Sequence, residues 1–579
     1  MYRTRYNGSL TIKDLGQQVE LVGWVSKKRN LGSLLFVDLR DKTGIVQVTI
    51  KTDEIEVPEI RNEFVINVIG VVSKKDVANA NLKTGEVEIL ATSVKLINKA
   101  KNPPLIIADT TDALEDTRLK YRYLDLRRSV MQEKLIIRAK IARAAREFLD
   151  QNEFIEIETP ILTKSTPGGA RDYLVPSRLH AGSFYALPQS PQIYKQLLMI
   201  GGLERYYQVA RCFRDEDLRA DRQPDFTQID IETSFLSYEE FLAMMEQLIQ
   251  KMFKDVVNYD VKLPLKRLTY EQAMETYGSD KPDTRFDINL KNLDFLYQKV
   301  DLFASTPIIR AIVIPNVADQ MSRKQLDELN IEAKKFGISS LANLKLTAEG
   351  LTGSLANKLD EQQKEQVKLA LGLNINDLAL IAFSETKQRV LPLLGAIRVT
   401  LAKKFNLINQ TAFEVLWVEK FPLFSFDKDK NTYTSEHHPF TMPLFEHLDL
   451  LDSDPSKVLS QAYDIVINGY EAGGGSMRIY NQDLQHKIFS LLGMSEEEIK
   501  AKFGFFIEAL EYGTPPHGGI AFGLDRLTMI LSGTDNIRDV IAFPKNLSGV
   551  SLMSEEPNTV SQQQLDELHI TIIKGDHNE

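Results

Sequence analysis

The sequence predicts an α+β protein of several domains: a small N-terminal β-barrel, then a larger segment of strands and helices carrying charged clusters, interrupted by an inserted stretch. Three observations carry this expectation. The chain has 579 residues, too many for one hydrophobic core. Its first hundred residues are short β-rich runs separated by glycines. Its unusual charge chemistry falls in two blocks, 185–235 and 415–550, with ordinary α/β patterning between them.

The barrel comes first. Val19 to Val25, Leu34 to Leu39, Ile45 to Ile50, Phe64 to Val72 and Val87 to Ile97 are β-rich with partial alternation, and Gly23, Gly32, Gly44, Gly70 and Gly85 supply bends or turns. Five strands in that length suit a closed barrel of the OB type, or another small β-barrel. Residues 1–100 hold 15 Lys and Arg against 12 Asp and Glu, a local charge of +3 in a chain whose net charge is −10. The acidic balance argues against nucleic-acid binding by the surface as a whole and leaves room for a local patch.

Lys101-Asn102-Pro103-Pro104 reads as a linker. Ile137, Ile141, Ala144 and Phe148 then form one apolar helix face, and Phe154 to Pro160 alternates as a strand stopped by proline. Residues 285–412 read as an inserted domain, and Glu555 to Glu579 as a polar tail. With 43% hydrophobic and 26% charged residues, no apolar run near the roughly 20 needed to span a bilayer and no apolar signal stretch at the start, a soluble protein without membrane partners is expected. One cysteine, Cys212, excludes an intrachain disulfide framework and a thiolate zinc site, and fits a cytoplasmic protein.

Three clusters carry the candidate chemistry. In the first, Phe213-Arg214-Asp215-Glu216 leads through an arginine-rich loop to Asp225-Phe226-Thr227-Gln228-Ile229-Asp230-Ile231-Glu232. Period two puts Phe226, Gln228, Asp230 and Glu232 on one strand face, suited to stacking a base and holding polar groups, or else to a solvated edge hairpin. In the second, Asp464 lies in an apolar strand, Glu471 follows a turn, and Gly473-Gly474-Gly475 precedes Arg478. Two hard carboxylates suit Mg²⁺ beside phosphates, glycines admit a ligand to the backbone, and Arg478 can fork onto a carboxylate. A structural Asp–Arg pair beside a glycine turn is the alternative. The third is His517-Gly518-Gly519-Ile520-Ala521-Phe522-Gly523-Leu524-Asp525-Arg526, which places an arginine near a helix start, able to hold phosphate or lie on a base. Neither a Gly-x-x-x-x-Gly-Lys phosphate loop nor a Rossmann fingerprint occurs, so any nucleotide is bound on another scaffold.

In this order the segments resemble the three signature motifs of class II aminoacyl-tRNA synthetases: the helix and strand ending at Pro160, the Phe213–Glu216 hairpin, and Gly523-Leu524-Asp525-Arg526. Arg122-Tyr123-Leu124-Asp125-Leu126-Arg127, Gln189 to Gln196, the loop through Gln223 and His437-His438-Pro439-Phe440-Thr441 are similar to the bacterial aspartyl type of subclass b, and the resemblance spans essentially the whole chain. It implies an OB-fold anticodon-binding domain at 1–104, a hinge at 105–118, an antiparallel-sheet catalytic domain at 119–284 and 413–554, an α/β insertion at 285–412 and a C-terminal extension at 555–579. It further implies a homodimer with Pro160 at the interface, ATP and Mg²⁺, and the partners L-aspartate and tRNA-Asp.

By the same resemblance, Arg214 and Arg526 are the catalytic residues. Asp215, Glu216, Arg222, Gln223, Phe226, Glu471, Gly523, Leu524 and Asp525 join them in binding ATP, with adenine between Phe226 and Arg526. Asp464 and Glu471 take Mg²⁺. Arg478 and Lys195 take the aspartate side chain, Ser190, Gln192 and Asp230 face its ammonium, and Ile193, Tyr194, Arg214, His437 and His438 complete that pocket. On the barrel, Phe36 stacks an anticodon base while Arg29, Gln47 and Glu88 meet base edges. Leu31, where relatives charging two tRNAs carry histidine, points to strict tRNA-Asp use. One departure stands out: the family has glutamate, which meets the substrate ammonium, where this chain has Gly168. The rival readings are an asparaginyl or lysyl enzyme, a non-catalytic RNA-binding relative, and a stand-alone amide-forming ligase. Lys195 with Arg478 favours aspartate, retention of Arg214, Glu471 and Arg526 favours catalysis, and the barrel disfavours the last.

Overall fold

Alternating valines, leucines and isoleucines close the N-terminal strands into a barrel. In the computed structural model, which describes residues 3–165, 170–427 and 431–573, the strands are β1 (Gln18–Leu31), β2 (Leu34–Asp41), β3 (Gly44–Lys51), β4 (Val65–Lys74) and β5 (Val87–Asn98). They close in the order β1-β2-β3-β5-β4, with β3 and β5 parallel. Leu21, Val37, Leu39, Val48, Ile50, Ile66, Val68 and Ile89 are fully buried inside. The expected OB-type barrel is present, and the first strand runs six residues past its expected end at Val25. Its extension, Ser26–Leu31, pairs with β2 beyond a bulge between Val25 and Lys27 and is mostly exposed, so no apolar alternation marks it.

The chain divides into two units. The first comprises Met1–Ala139, Asp217–Pro224 and Thr534–Asp566; the second comprises Lys140–Glu216, Asp225–Gly533 and Glu567–Glu579. Within the first, the Arg122–Arg127 motif is structural. Buried Arg122 donates to the carbonyls of Arg538, Ile541 and Ala542, and buried Asp125 accepts from Arg118, Arg122 and Arg128. Arg127 and Arg40 share the carboxylate of Glu63.

The second unit is built on an eight-stranded sheet. Its strands are β6 (Ile155–Glu156), β7 (Arg205–Phe213), β8 (Asp225–Ser234) and β9 (Lys266–Thr269), then, after the insertion, β15 (Val415–Glu419), β16 (Ala462–Ile467), β17 (Tyr470–Met477) and β18 (His517–Gly523). The spatial order is β9-β15-β16-β17-β18-β8-β7-β6. The strand expected over Phe154–Pro160 shrinks to two paired residues. β6 is the sheet edge, parallel to β7 only at Ile155 and Glu156, and the chain beyond leaves the ladder toward Pro160. The insertion's own sheet has β10 (Lys291–Asn292), β11 (Ile308–Ile314), β12 (Ala342–Thr347), β13 (Gly350–Thr352) and β14 (Leu378–Ser384), ordered β10-β11-β14-β12-β13. Alternate residues of β11 and β14 feed two cores: Ile312, Ile314, Leu378 and Leu380 enter one, and Ile309, Ala311, Ala379 and Ile381 the other. Burial on both faces explains the unbroken apolar runs there.

Helices α2 (Gln192–Ile200) and α4 (Leu524–Leu531) carry site residues, and the longer helices include α1 (Ser129–Gln151) and α3 (Tyr238–Val257). On the face predicted for α1, Ile141, Ala144 and Phe148 are buried. No helix among the described residues is long and apolar enough to cross a membrane.

Candidate active site

Four adjacent strands make the floor of the site, and their register explains its shape. Asp230 on β8 stands opposite Ala521 on β18, Ala521 opposite Gly474 on β17, and Gly474 opposite Asp464 on β16. One pair further along, Glu232 stands opposite Gly519, and Gly519 opposite Ser476. Directly opposed residues share a sheet face. Carboxylates therefore flank a strip of Gly, Ala and Ser on that face. The other alternation of β18, Ile520 and Phe522, is fully buried.

At Gly519 the small residue is obligatory: a Cβ there would stand 1.8 Å from Glu232 Oε2. That space is taken by a buried ion network. Glu232 accepts from Arg478 Nε at 2.9 Å and Nη2 at 3.2 Å, and lies 3.1 Å from Lys195 Nζ. Lys195 also donates to Asp230 Oδ1 at 2.7 Å. Every one of these four residues is at most 2% exposed, so the two cations and two carboxylates neutralise one another out of water. Burial pushes the Glu232 carboxyl up, but Arg478 and then Lys195 outweigh it and bring it down to about 2. Asp230 goes the other way, raised by burial against the pull of Lys195.

Arg478 has one more edge. Its Nη1 donates to Ser476 Oγ at 2.6 Å and lies 2.5 Å from His438 Nε2, while Nη2 also reaches the Gly519 carbonyl at 3.2 Å. Burial first, then His437 and Arg478, hold the His438 imidazole well below its ordinary range, so the ring is neutral and can accept. An incoming carboxylate can reach the guanidinium on the Nη1 edge by displacing a hydroxyl and an imidazole, whereas the Glu232 edge is fixed. His437 rests on His438 with ring centroids 4.4 Å apart.

Three buried polar atoms here are without a hydrogen-bond partner: Asp230 Oδ2, Gln192 Nε2 and Arg214 Nε. Such an atom can take its partner from a ligand, an ion or an ordered water. Gln192 begins α2, which also carries Ile193, Tyr194 and Lys195; Ser190 precedes it. The Arg214 guanidinium lies over the Phe226 ring, 5.0 Å from its centroid, so it occupies one face of the ring expected to stack adenine.

Asp464 and Glu471 converge above Gly474, where a Cβ would lie 2.7 Å from Asp464 Oδ1 and 3.5 Å from Glu471 Oε1. Burial and then the neighbouring Glu471 raise Asp464 well above the carboxylate range. Burial acts upward on Glu471 too, but Lys281 and Arg526 overcome it and lower the group. Two converging hard oxygen donors fit Mg²⁺, which takes its other ligands from phosphate and water. Among the described residues no group of three or more His, Cys, Asp or Glu gathers for a metal, so protein alone supplies few ligands. Arg526, third residue of α4, donates from Nη1 to the Glu471 carbonyl at 2.6 Å. Gly523 is the N-cap of that helix, Leu524 is buried in its first turn, and buried Asp525 accepts the Thr227 N–H at 2.8 Å, tying α4 to β8. Asp215 takes its backbone partner from Arg171, and Glu216 follows it half-buried.

Two expected nucleotide ligands, Arg222 and Gln223, belong to the first unit. There the Gln223 side chain exchanges hydrogen bonds with the backbone of Lys545, and Arg222 closes a turn with Arg219. The four barrel residues form one chain: Arg29 lies 5.9 Å over Phe36 and donates to Gln47, which donates to Glu88 at 3.0 Å. Leu31 is 67% exposed at the β1–β2 turn. Gly168 lies outside the described residues.

Sequence reasoning placed Glu232 on the right strand face without giving it a role, and passed over Lys281 and Ser476. Period two was the signal for Glu232. Nothing local marks Lys281, which reaches Glu471 from a loop 190 residues away in sequence.

A family model described as tRNA synthetases class II (D, K and N) matches residues 114–547, and one described as an OB-fold nucleic acid binding domain matches residues 19–97. The chain is 50% identical over 583 residues to the aspartate–tRNA(Asp/Asn) ligase of Anoxybacillus flavithermus, with 98% of each chain covered. It is 51% identical to the protein of that name from Bacillus cytotoxicus, covering 98% of this chain and 99% of the relative. Among solved structures, the asparaginyl-tRNA synthetase of Pyrococcus horikoshii with asparaginyl-adenylate matches at TM-score 0.59 and 19% identity, covering 94% of this chain and 98% of that one. The aspartyl-tRNA synthetase of Entamoeba histolytica matches at TM-score 0.57 and 20% identity, covering 93% and 90%. These two likenesses concern the fold.

Proposed function

The chain belongs to the class II tRNA synthetases of the D, K and N group, and from that premise we propose how its residues carry the reaction. It is an aspartate–tRNA ligase: it activates aspartate with ATP and transfers it to the 3′ end of tRNA-Asp. The observation that carries the substrate assignment is the network of Lys195, Asp230, Glu232 and Arg478. It fixes two cations beside the strip of small residues, and the neighbouring carboxylate oxygen Asp230 Oδ2 suits an ammonium.

The aspartate α-carboxylate attacks the α-phosphorus of ATP and pyrophosphate leaves. A carboxylate is already a nucleophile, so positioning and charge neutralisation suffice. Arg214 leaves the Phe226 face to meet the α-phosphate, adenine takes that face, and Arg526 covers the other side. Asp464 and Glu471 would hold Mg²⁺, which would supply charge neutralisation at the phosphates. Glu216 adds a nucleotide contact. A terminal ribose hydroxyl of the tRNA then attacks the activated carbonyl, and AMP leaves. Asparagine is refused because its amide sets N–H groups against Lys195 and Arg478, an unpaired buried arrangement costing on the order of several kcal/mol.

Arg29, Phe36, Gln47 and Glu88 read the anticodon. The exposed apolar side chains Ile155, Ile161 and Leu162 around Pro160, at the sheet edge, support a homodimer interface there. We place its action in the cytoplasm, a reducing compartment that the single cysteine fits. On tRNA range, the names of the relatives favour use of both tRNA-Asp and tRNA-Asn, against the strict use that Leu31 favours.

Amino-acid-dependent ATP–pyrophosphate exchange across all twenty amino acids tests the substrate, with exchange expected for aspartate alone. Exchange with asparagine or lysine instead overturns the assignment, and no exchange with any amino acid overturns catalysis. Charging of tRNA-Asp and tRNA-Asn transcripts separates the two tRNA readings.

A further inference from the structure

Lys281 has no part in the reaction as derived, yet its Nζ lies 2.9 Å from Glu471 Oε2. It gets there from the loop after helix Tyr270–Tyr277, and that loop is held at several points. Ser279 Oγ accepts the Lys281 N–H at 3.0 Å, and Pro282 restricts the backbone that follows. Buried Asp283 accepts the Arg285 N–H and binds the Arg285 guanidinium through both oxygens, and its carbonyl accepts from buried Arg398.

Asp283 also packs on the turn that aims Glu471. The β16–β17 connection, Asn468-Gly469, has both residues at positive φ, and a Cβ on Gly469 would stand 3.0 Å from Asp283 Cβ. Glu471 is two residues further along. The loop that aims the ammonium and the turn that aims the carboxylate are therefore fitted to each other. The other charges around the pair are Asp464 across Gly474, Asp280 at 3.9 Å from Nζ, and Arg526 on the Glu471 carbonyl. Two converging carboxylates repel each other unless a positive charge stands between or beside them.

We propose that Lys281 is the positioning residue of the divalent-cation site: its ammonium fixes Glu471 and stands in for a cation beside the carboxylate pair, so that an arriving divalent ion competes with it. The proposal rests on the reading of Asp464 and Glu471 as metal ligands. It makes the site selective for the metal nucleotide over the free metal. Two carboxylates with a resident ammonium bind a bare divalent ion weakly, and the phosphates of ATP bring the ligands that let the ion prevail.

The test is Mn²⁺ titration of the nucleotide-free, full-length enzyme, followed by the EPR signal of free Mn²⁺, in wild type, Lys281→Met, Lys281→Arg and Glu471→Gln. The site is defined by the binding that Glu471→Gln removes. Lys281→Met is expected to bind Mn²⁺ there at least about tenfold more tightly, the scale set by removing one charge a few Å from a divalent ion even at the permittivity of water. Lys281→Arg, which keeps the charge, should stay near wild type. Unchanged or weaker binding in Lys281→Met overturns the proposal while leaving the metal ligands in place. If Glu471→Gln removes no Mn²⁺ binding even when combined with Lys281→Met, where the competing ammonium is gone, the ligand assignment itself fails. Should the methionine variant not fold, Lys281→Gln, which keeps a polar side chain on the loop, takes its place with the same expected outcome.

Discussion

Replacing Glu232 by glutamine removes one charge from a site with no access to water and changes almost no volume. The glutamate is fully buried, accepts from Arg478 twice and is ion-paired with Lys195 at 3.1 Å. In glutamine one of the two acceptor oxygens becomes a donor facing ammonium or guanidinium groups. Two routes give the size of the effect. Breaking one side of a buried ion pair costs about 3–5 kcal/mol. Independently, a carboxyl brought from its ordinary 4.5 down to about 2 contributes about 3 kcal/mol, at 1.36 kcal/mol per unit. Both point to a loss of about 3 kcal/mol at neutral pH. The folded-state value lies below the ordinary one, so the contribution is whole above about pH 4.5 and fades as pH falls toward 2. Urea unfolding of wild type and Glu232→Gln, followed by tryptophan fluorescence, should therefore show a constant gap from pH 8 to 5. The gap should shrink below pH 4.5. Trp417 reports on this unit, since it is buried in β15 and packs edge-on to Tyr463 beside the network. Equal stability at neutral pH, or a gap that keeps its full size at pH 3.5, would refute the ion-pair account of Glu232.

Arg478→Lys keeps the charge but loses the fork; it should raise the aspartate KM in pyrophosphate exchange about 10- to 100-fold, the loss of one or two charge-assisted hydrogen bonds, with the ATP KM little changed. A matching rise in both constants would separate Arg478 from the amino-acid pocket. Gly474→Ala places a methyl group 2.7 Å from Asp464 Oδ1; pushing the carboxylates apart should cost about 1–3 kcal/mol of metal-nucleotide binding, read as a higher ATP KM at fixed Mg²⁺. An unchanged ATP KM would show that nothing binds between the carboxylates. Phe36→Ala should raise the KM for tRNA about 5- to 100-fold through loss of base stacking and leave pyrophosphate exchange at wild-type rates. A fall in exchange would place Phe36 in the fold instead of the RNA interface.

Much of this was legible along the chain because it is local. The barrel strands show in the alternation of residues such as Val46, Val48 and Ile50, since period two is a property of one strand facing one core. Phe226, Gln228, Asp230 and Glu232 are expected on one face for the same reason, and Asp230 and Glu232 there are buried in an ion network with Lys195 and Arg478. The short edge strand β6 was overestimated because Phe154–Pro160 alternates in sequence while only Ile155 and Glu156 find a partner. The family could be read from motifs scattered over hundreds of residues, since each motif is a short local pattern.

What the sequence alone determined is therefore the inventory: which strand faces are polar, which turns take glycine, and which residues bear charge. Only the tertiary structure decided who meets whom. That Glu232 sits between Arg478 and Lys195, that Gly519 must be glycine to admit it, and that Lys281 reaches Glu471 from a distant loop all depend on the strand order β16-β17-β18-β8. Pairing energies between charges fall off within a few Å and say nothing about separation along the chain. A side chain's partner is fixed by the fold that carries it there, and for Lys281 that fold is a loop clamped onto the very turn that presents Glu471.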